Sequence, residues 1–208
     1  MNKVCFCFII GLLLCAEGSI AQLKVGIKAG YNNSNFSDYK LMGVDGNAKS
    51  GIHGGFMFEY KLPKLIGIEA DPQFSAIGSN FSIPGAPFSL EQKYNLGYFE
   101  LPVVAKFYFL KFFNAQVGPQ LSILTSAKIK TNTLPPLPGS ASTTDVKDLF
   151  KSSDVAGVAG IGFEIRGFYT TARYIIGFSD INDDLGVTDA INNRVLQISV
   201  GLWFTQGW

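Results

Sequence analysis

The sequence predicts an all-β fold: an eight-stranded antiparallel up-and-down transmembrane β-barrel with its N- and C-termini on the periplasmic side. Three observations predict it. Apolar residues recur with a period of two in eight separate stretches. Glycines and charges gather on one parity of those stretches, while Phe, Ile, Leu, Val and Ala occupy the other. The connections alternate long and short along the chain.

The strands follow in order. Leu23, Val25, Ile27, Ala29 and Tyr31 alternate with Lys24, Gly26, Lys28, Gly30 and Asn32. Successive side chains of a strand point to opposite faces, so this is one strand with one apolar face. Ile52, Phe56, Phe58 and Tyr60 define the second; Ile66, Ile68, Ala70 and Phe74 the third. Phe99, Leu101, Val103, Ala105 and Phe107 define the fourth, and Ala115, Val117, Leu121 and Ile123 the fifth. The last three carry Val155, Ala159, Ile161, Phe163 and Ile165; then Phe168, Ala172, Tyr174, Ile176 and Phe178; then Leu196, Ile198, Val200, Leu202 and Phe204. Tyr94, Leu96 and Tyr98 are out of phase with Leu101 and Val103, which predicts a bulge between Tyr94 and Phe99. Pro102 and Pro119 exclude a helix over Tyr98–Leu124; in a sheet each costs a ladder bond and needs a bulge or strand end.

The domain boundaries are residues 1–21, a cleaved signal peptide, and residues 22–208, the barrel. Lys3 supplies the positive start, Val4–Cys15 a short apolar centre, and Ser19-Ile20-Ala21 the small residues before a cut ahead of Gln22. An alternative reading acylates Cys15, but Leu14 stands where a small residue belongs. The three cysteines, Cys5, Cys7 and Cys15, all lie in this segment, so the mature protein has no disulfide, thiolate zinc site or cysteine nucleophile. The 208 residues are 47% hydrophobic and 16% charged, below the roughly 25% charge of soluble domains. The net charge of +1 gives nucleic acid nothing to bind.

Alternation alone leaves two solutions, a soluble lipocalin-like ligand binder with its apolar face inward and a membrane barrel with that face in lipid. The glycines decide for the membrane. Gly26, Gly30, Gly55, Gly67, Gly118, Gly160, Gly162, Gly177 and Gly201 share the polar parity, where a narrow barrel's interior is crowded. The opposite parity carries almost no charge, as a lipid-facing surface requires. Three connections are short: Lys61–Lys64, Leu110–Phe113 and Arg166-Gly167. Four are long: Phe36–Ser50, Gly78–Lys93, Thr125–Ser153 and Ser179–Asn193. Short periplasmic turns and long outer loops fit this order. Tyr60, Phe107, Tyr108, Phe109, Phe112, Phe113, Phe168 and Trp203 cluster near the short turns as an expected interfacial girdle. The final strand closes in aromatics, resembling the signal read by the barrel-assembly machinery.

The charges on the inner parity are Lys24, Lys28, Glu59, Glu69, Asp71, Glu100, Lys106, Glu164 and Arg173. They form an expected structural network of ion pairs that fills the lumen, because a buried charge must be paired. Arg166 falls at a barrel end, in water. Such an interior conducts poorly. No catalytic, cofactor-binding or metal residues are expected. His53, the one histidine, lies on the polar parity between glycines and reads as an interior hydrogen-bonding residue. Gly157–Gly162, "GVAGIG", has no helix after it and lacks a phosphate-binding mechanism. "DINDDLG" places Asp180, Asn182 and Asp184 at calcium-loop spacing, but Ile191 stands where a bidentate Glu belongs, so it reads as a solvated acidic loop.

"VGIKAGYNNSNFS", "GIHGGFMFEY", "YFELPVVAKFYF", "VAGIGFEI" and "ARYIIGFSDI" resemble the outer-membrane β-barrel family typified by PorT, abundant in the Bacteroidota. The resemblance spans nearly the whole mature chain. It implies an eight-stranded barrel and leaves activity open, although PorT itself is linked to protein secretion. The expected role is a non-enzymatic outer-membrane scaffold, structural or binding, that displays loops at the cell surface. A PorT-like secretion or envelope-assembly component is the alternative the resemblance implies. The expected partners are outer-membrane lipid, the barrel-assembly machinery and an unidentified envelope protein.

Overall fold

A computed structural model describes residues 23–37, 40–41, 44–45, 47–62, 65–83, 89–134, 142–178 and 192–204. The expected signal peptide, residues 1–21, and the acidic stretch around Asp184 lie outside the described residues. Strands β1 (Leu23–Ser37), β4 (Asn47–Lys61), β5 (Ile66–Ala70), β6 (Gln73–Ile83), β7 (Ser89–Tyr108) and β8 (Phe113–Leu134) are followed by β10 (Ser153–Ile165), β11 (Phe168–Gly177) and β12 (Asn192–Trp203). Short strands β2 (Lys40–Leu41), β3 (Val44–Asp45) and β9 (Ser142–Asp145) lie in the long connections. β5 and β6 are one stave broken at Asp71-Pro72, which leaves eight staves. Each stave pairs antiparallel with its sequence neighbour, and β1 pairs with both β4 and β12, from Gly26↔Trp203 to Ser37↔Asn192 on the latter side. The sheet therefore closes on itself, and among the described residues β1 and β12 leave no open edge to lipid.

The short turns form as expected. Arg166 and Gly167 both have positive φ, 49° and 83°, the two-residue turn whose twist matches a hairpin. Leu110 and Phe113 exchange backbone hydrogen bonds at 3.5 and 3.3 Å. Residues 63–64 of the remaining short turn are outside the described residues.

The aliphatic parity faces outward. Ile27 is 42% exposed, Phe56 57% and Ile198 49%, whereas Lys28, Glu59 and Gln197 on the other parity are buried. On β7 the outward apolar run is Phe99–Phe107, and on β8 it is Phe113–Ile123. These lengths match the about 9–11 residues a tilted strand needs to cross the hydrocarbon.

Several expectations are corrected. The Thr125–Ser153 and Gly78–Lys93 connections are largely strand: β7 and β8 run 20 and 22 residues, far beyond the membrane span. The bulge near Tyr98 lies on the partner strand. Gly97 pairs with Ser126 and Tyr98 with Leu124, which leaves Thr125 as the extra residue. β7 itself keeps its phase, and Tyr94, Leu96 and Tyr98 point into the barrel beside Glu100. Pro102 and Pro119 need no bulge: the β7–β8 ladder lapses between Pro102↔Gln120 and Ala105↔Val117 and resumes in the same register. Of the expected girdle, Tyr60, Phe107, Phe109, Phe112, Phe113 and Phe168 are outward, but Tyr108 and Trp203 are buried inside at 5% and 7%.

The glycines of the inner parity make room. A Cβ on Gly160 would stand 2.8 Å from Cγ of Arg173, and one on Gly30 2.5 Å from Cε1 of His53. "GVAGIG" is thus a strand shaped by the lumen side chains.

Val200 sits at the middle of the outward apolar run of residues 196–204. Val200→Arg is expected to destabilise the barrel by about 2–4 kcal/mol in urea unfolding from lipid vesicles. Thr125→Arg, above the apolar band, is expected to leave the unfolding midpoint nearly unchanged.

Candidate functional site: the filled lumen

The lumen is built from the inward parity of all eight staves, and its content changes with height. At the short-turn end it is ionic. Lys106 lies at the centre of this layer, with its Nζ 2.9 Å from Oε2 of Glu59 and 2.8 Å from Oε2 of Glu69. It also donates to Glu164. Lys24 bridges the other side, 2.6 Å from Oε2 of Glu164 and 2.9 Å from Oε2 of Glu59. One turn of the network higher, Arg173 donates from Nη1 to Asp71 at 2.6 Å, from Nη2 to Glu69, and from Nε to Gln116 at 2.7 Å. Lys28 meets the same Asp71 oxygen at 2.8 Å. Four cations and four carboxylates, drawn from six staves, thus form one connected cluster. The break at Asp71-Pro72 aims Asp71 into it: the Asp71 N–H donates to Pro102 O across the gap at 3.1 Å.

Aromatic residues that the sequence places at the girdle or leaves unassigned complete this layer. Tyr108 donates its hydroxyl to Glu59, and Tyr169 donates to Glu69 at 3.1 Å. Lys24 lies 4.6 Å above the Trp203 ring and Lys106 4.9 Å above that of Tyr169. Strict parity points Tyr108 and Trp203 inward; composition alone hides them, because aromatics belong equally to a girdle. Arg166 is exposed at its turn. Glu100 stands apart from the cluster. It accepts from Gln73 Nε2 at 2.7 Å and has no ion pair among the described residues.

Above the ions lies a neutral polar layer. His53 Nδ1 is 2.8 Å from Oδ1 of Asn32 and its Nε2 is 2.7 Å from the Ser199 hydroxyl. This is the order of a Ser-His-Asn triad. It is not a catalytic site, because Ser199 and Asn32 are fully buried and Gln197 closes on Asn32 Oδ1 at 3.2 Å. A substrate carbonyl has no approach to the hydroxyl, and attack requires one. Among the described residues no group of three or more His, Cys, Asp or Glu could hold a metal ion.

The outer half of the lumen holds an apolar cluster beside hydrogen-bonded polar residues such as Ser34 and Ser79. Ile77, Phe81, Tyr94, Leu96, Leu124 and Val195 belong to one buried cluster. The connection after β8 folds back over it. Val146 and Phe150 join the cluster, the Val146 N–H donates to Ala127 O at 3.0 Å, and Phe150 packs edge-on against Tyr94. Polarity is inverted here, with Thr125, Ser126, Lys128 and Lys130 exposed on the outer side of β8.

The chain's matches to known proteins agree with this architecture. The family model described as the outer membrane protein beta-barrel domain matches residues 18–183. This corrects the expected membership of the PorT-typified family: the matching model is the outer membrane protein beta-barrel domain. Ail of Yersinia pestis is 15% identical, with 88% of this chain and 99% of that one covered and a TM-score of 0.47. Neisserial surface protein A is 13% identical over 87% and 96%, with a TM-score of 0.43. The NalP translocator domain of Neisseria meningitidis is 12% identical over 96% of each chain, with a TM-score of 0.34. No curated protein sequence matches this chain. Its closed sheet has an apolar exterior and an ion-filled lumen, and the family match covers most of its length: the chain belongs to the outer membrane protein beta-barrel domain family and resides in the outer membrane.

Proposed function

We propose that this barrel is a sealed, non-enzymatic anchor that holds a rigid β-platform outside the cell for binding an envelope or extracellular protein partner. The observation that carries the reading is the β7–β8 hairpin. Its register continues past the apolar band to Ser89↔Leu134, and β9 extends the sheet through Lys128↔Asp145 to Thr131↔Ser142. The apolar cluster beneath fixes this platform to the barrel, and loops held on a rigid scaffold are where binding residues concentrate. The residues 1–21 act as the export signal that brings the chain to the assembly machinery.

The nine inner charges serve the anchor. An ionic layer at one end and a dry apolar layer at the other leave an ion no continuous aqueous path. The network is structural in this reading: each cation offsets carboxylates that lipid-enclosed burial would otherwise make costly.

Lys106→Met removes the shared partner of Glu59, Glu69 and Glu164. It is expected to cost about 3–5 kcal/mol in urea unfolding, because uncompensated buried charge remains. Removing an exposed cation such as Lys128 is expected to change the midpoint little. In planar bilayers the refolded protein is expected to show no steady pore; a nanosiemens-scale open channel would overturn the sealed-anchor reading. Replacing residues 125–153 by a short turn is expected to preserve heat-modifiable gel mobility and abolish capture of a cross-linked surface partner. Equal capture by the shortened barrel would refute the platform.

A further inference from the structure

Between the ionic layer and the apolar cluster lies a small internal space of about 10 Å³, with Glu100, Gln120, Tyr98, Ser122, Asp154 and Asn193 on its polar wall. All six are buried, from 1% exposure at Tyr98 to 5% at Asn193. The free room suits a guest about the size of one water molecule. Glu100 contributes a carboxylate with no ion pair among the described residues. Below it, the lumen cations Lys24, Lys28, Lys106 and Arg173 are already engaged with Glu59, Glu69, Asp71 and Glu164. Asp154 brings a second carboxylate to the same wall, its Oδ2 accepting from Asn193 at 3.2 Å. Gln120 supplies the independent sign. Its amide donates from Nε2 to Ser122 at 3.3 Å, and its Oε1, fully buried, has no hydrogen-bond donor. An amide oxygen facing a space shared with two carboxylates is repelled unless a cation or a carboxyl proton lies between them.

The geometry points to a binding site for one small oxygen-liganded cation of the calcium class, held by Glu100 and Asp154 with the Gln120 carbonyl and the Tyr98 and Ser122 hydroxyls. Two carboxylates and three neutral oxygens, from β7, β8 and β10, give a hard, irregular donor set. Ca²⁺ accepts such irregular geometry at about 2.3–2.6 Å, whereas Mg²⁺ demands a near-ideal octahedron and keeps its waters, for which this space has no room. The cation neutralises Glu100, a lumen carboxylate outside the ion cluster, and ties three staves together where the lumen changes from polar to apolar. The site is independent of the platform's partner.

The test uses the full mature barrel refolded in detergent and stripped with chelator, with Tb³⁺ as the optical probe and Ca²⁺ as competitor. Tyr98 is a built-in sensitiser for terbium emission. The expected result is saturable emission at one Tb³⁺ per barrel, displaced by Ca²⁺ and not by Mg²⁺, with Ca²⁺ raising the melting temperature. Glu100→Gln, which keeps the side-chain shape, is expected to weaken Ca²⁺ at least about tenfold, consistent with affinity set by ligand charge. Gln120→Met is expected to weaken it while retaining heat-modifiable mobility, and Tyr98→Phe to dim the emission while Ca²⁺ still raises the melting temperature. Asp184→Asn, in the acidic loop, is expected to change none of these. The site is refuted if wild-type protein shows no saturable binding up to about 1 mM. It is equally refuted by binding that survives both Glu100→Gln and Gln120→Met, or by binding that depends on Asp184 instead.

Discussion

Hydrocarbon accepts no hydrogen bonds, and that single constraint organises the molecule. Every backbone N–H and C=O of a strand in lipid must find another strand. The β1–β12 pairing closes the ring, and closure fixes the rest. Once the sheet closes at eight staves, the interior is only wide enough for side chains. Each residue must then choose between a narrow, crowded lumen and a broad, apolar exterior. The alternation of Lys24 and Lys28 with Val25 and Ile27 is that choice written along one strand.

The lumen charges follow from the same geometry. Lys24, Glu59, Glu69 and Lys106 meet between the neighbouring strands β1, β4, β5 and β7, whereas Glu164 on β10 and Arg173 on β11 reach them across the lumen only when the barrel is closed. The full cluster therefore needs the complete ring. A half-barrel leaves Glu164 and Arg173 without their cross-lumen partners, so partly paired intermediates gain only part of it. The network therefore favours correct register more than it adds stability, since removing charge from water offsets much of the attraction between partners. Tyr108 and Tyr169 fill the remaining acceptor positions, and the ring faces of Trp203 and Tyr169 give Lys24 and Lys106 a second kind of contact.

Much of this was legible in the sequence. Period two, glycine parity and turn chemistry at Arg166-Gly167 define the staves, and parity alone sorts the inward charges. Pairing partners were not legible, because they depend on register around the ring: nothing local says that Lys28 meets Asp71 while Glu100 meets none of the lysines. Tyr108 and Trp203 were misplaced for a physical reason. An aromatic side chain near a membrane interface suits the girdle and equally suits a cation in the lumen, so only its parity distinguishes the two. The length of β7 and β8 was hidden for the opposite reason. Beyond Gly97 and Thr125 their apolar residues no longer face lipid, so the pattern that marks a membrane strand stops while the strand continues.

That last point explains the region that most resists a single-solvent reading. A strand crossing from lipid into water meets two solvents, and its apolar face must change sides at the boundary. β7 does this without altering its backbone phase: its even positions pass from Lys106 and Glu100 to Tyr98, Leu96 and Tyr94, turning a polar lumen into a dry one. β8 reaches the same end with one extra residue at Thr125, which follows the inward Leu124, turns Ala127 inside and leaves Thr125, Ser126 and Lys128 to water. The apparent phase error at Tyr94–Phe99 is therefore the water line, recorded in side chains. Below it the barrel is an inverted protein with ions at its centre; above it the same sheet is an ordinary soluble one with Phe81, Tyr94 and Phe150 packed at its centre. The two halves are joined by continuous strands, so the outer platform inherits the rigidity of a closed ring. A scaffold built this way presents its loops from a fixed height and orientation, which a flexible tether cannot do.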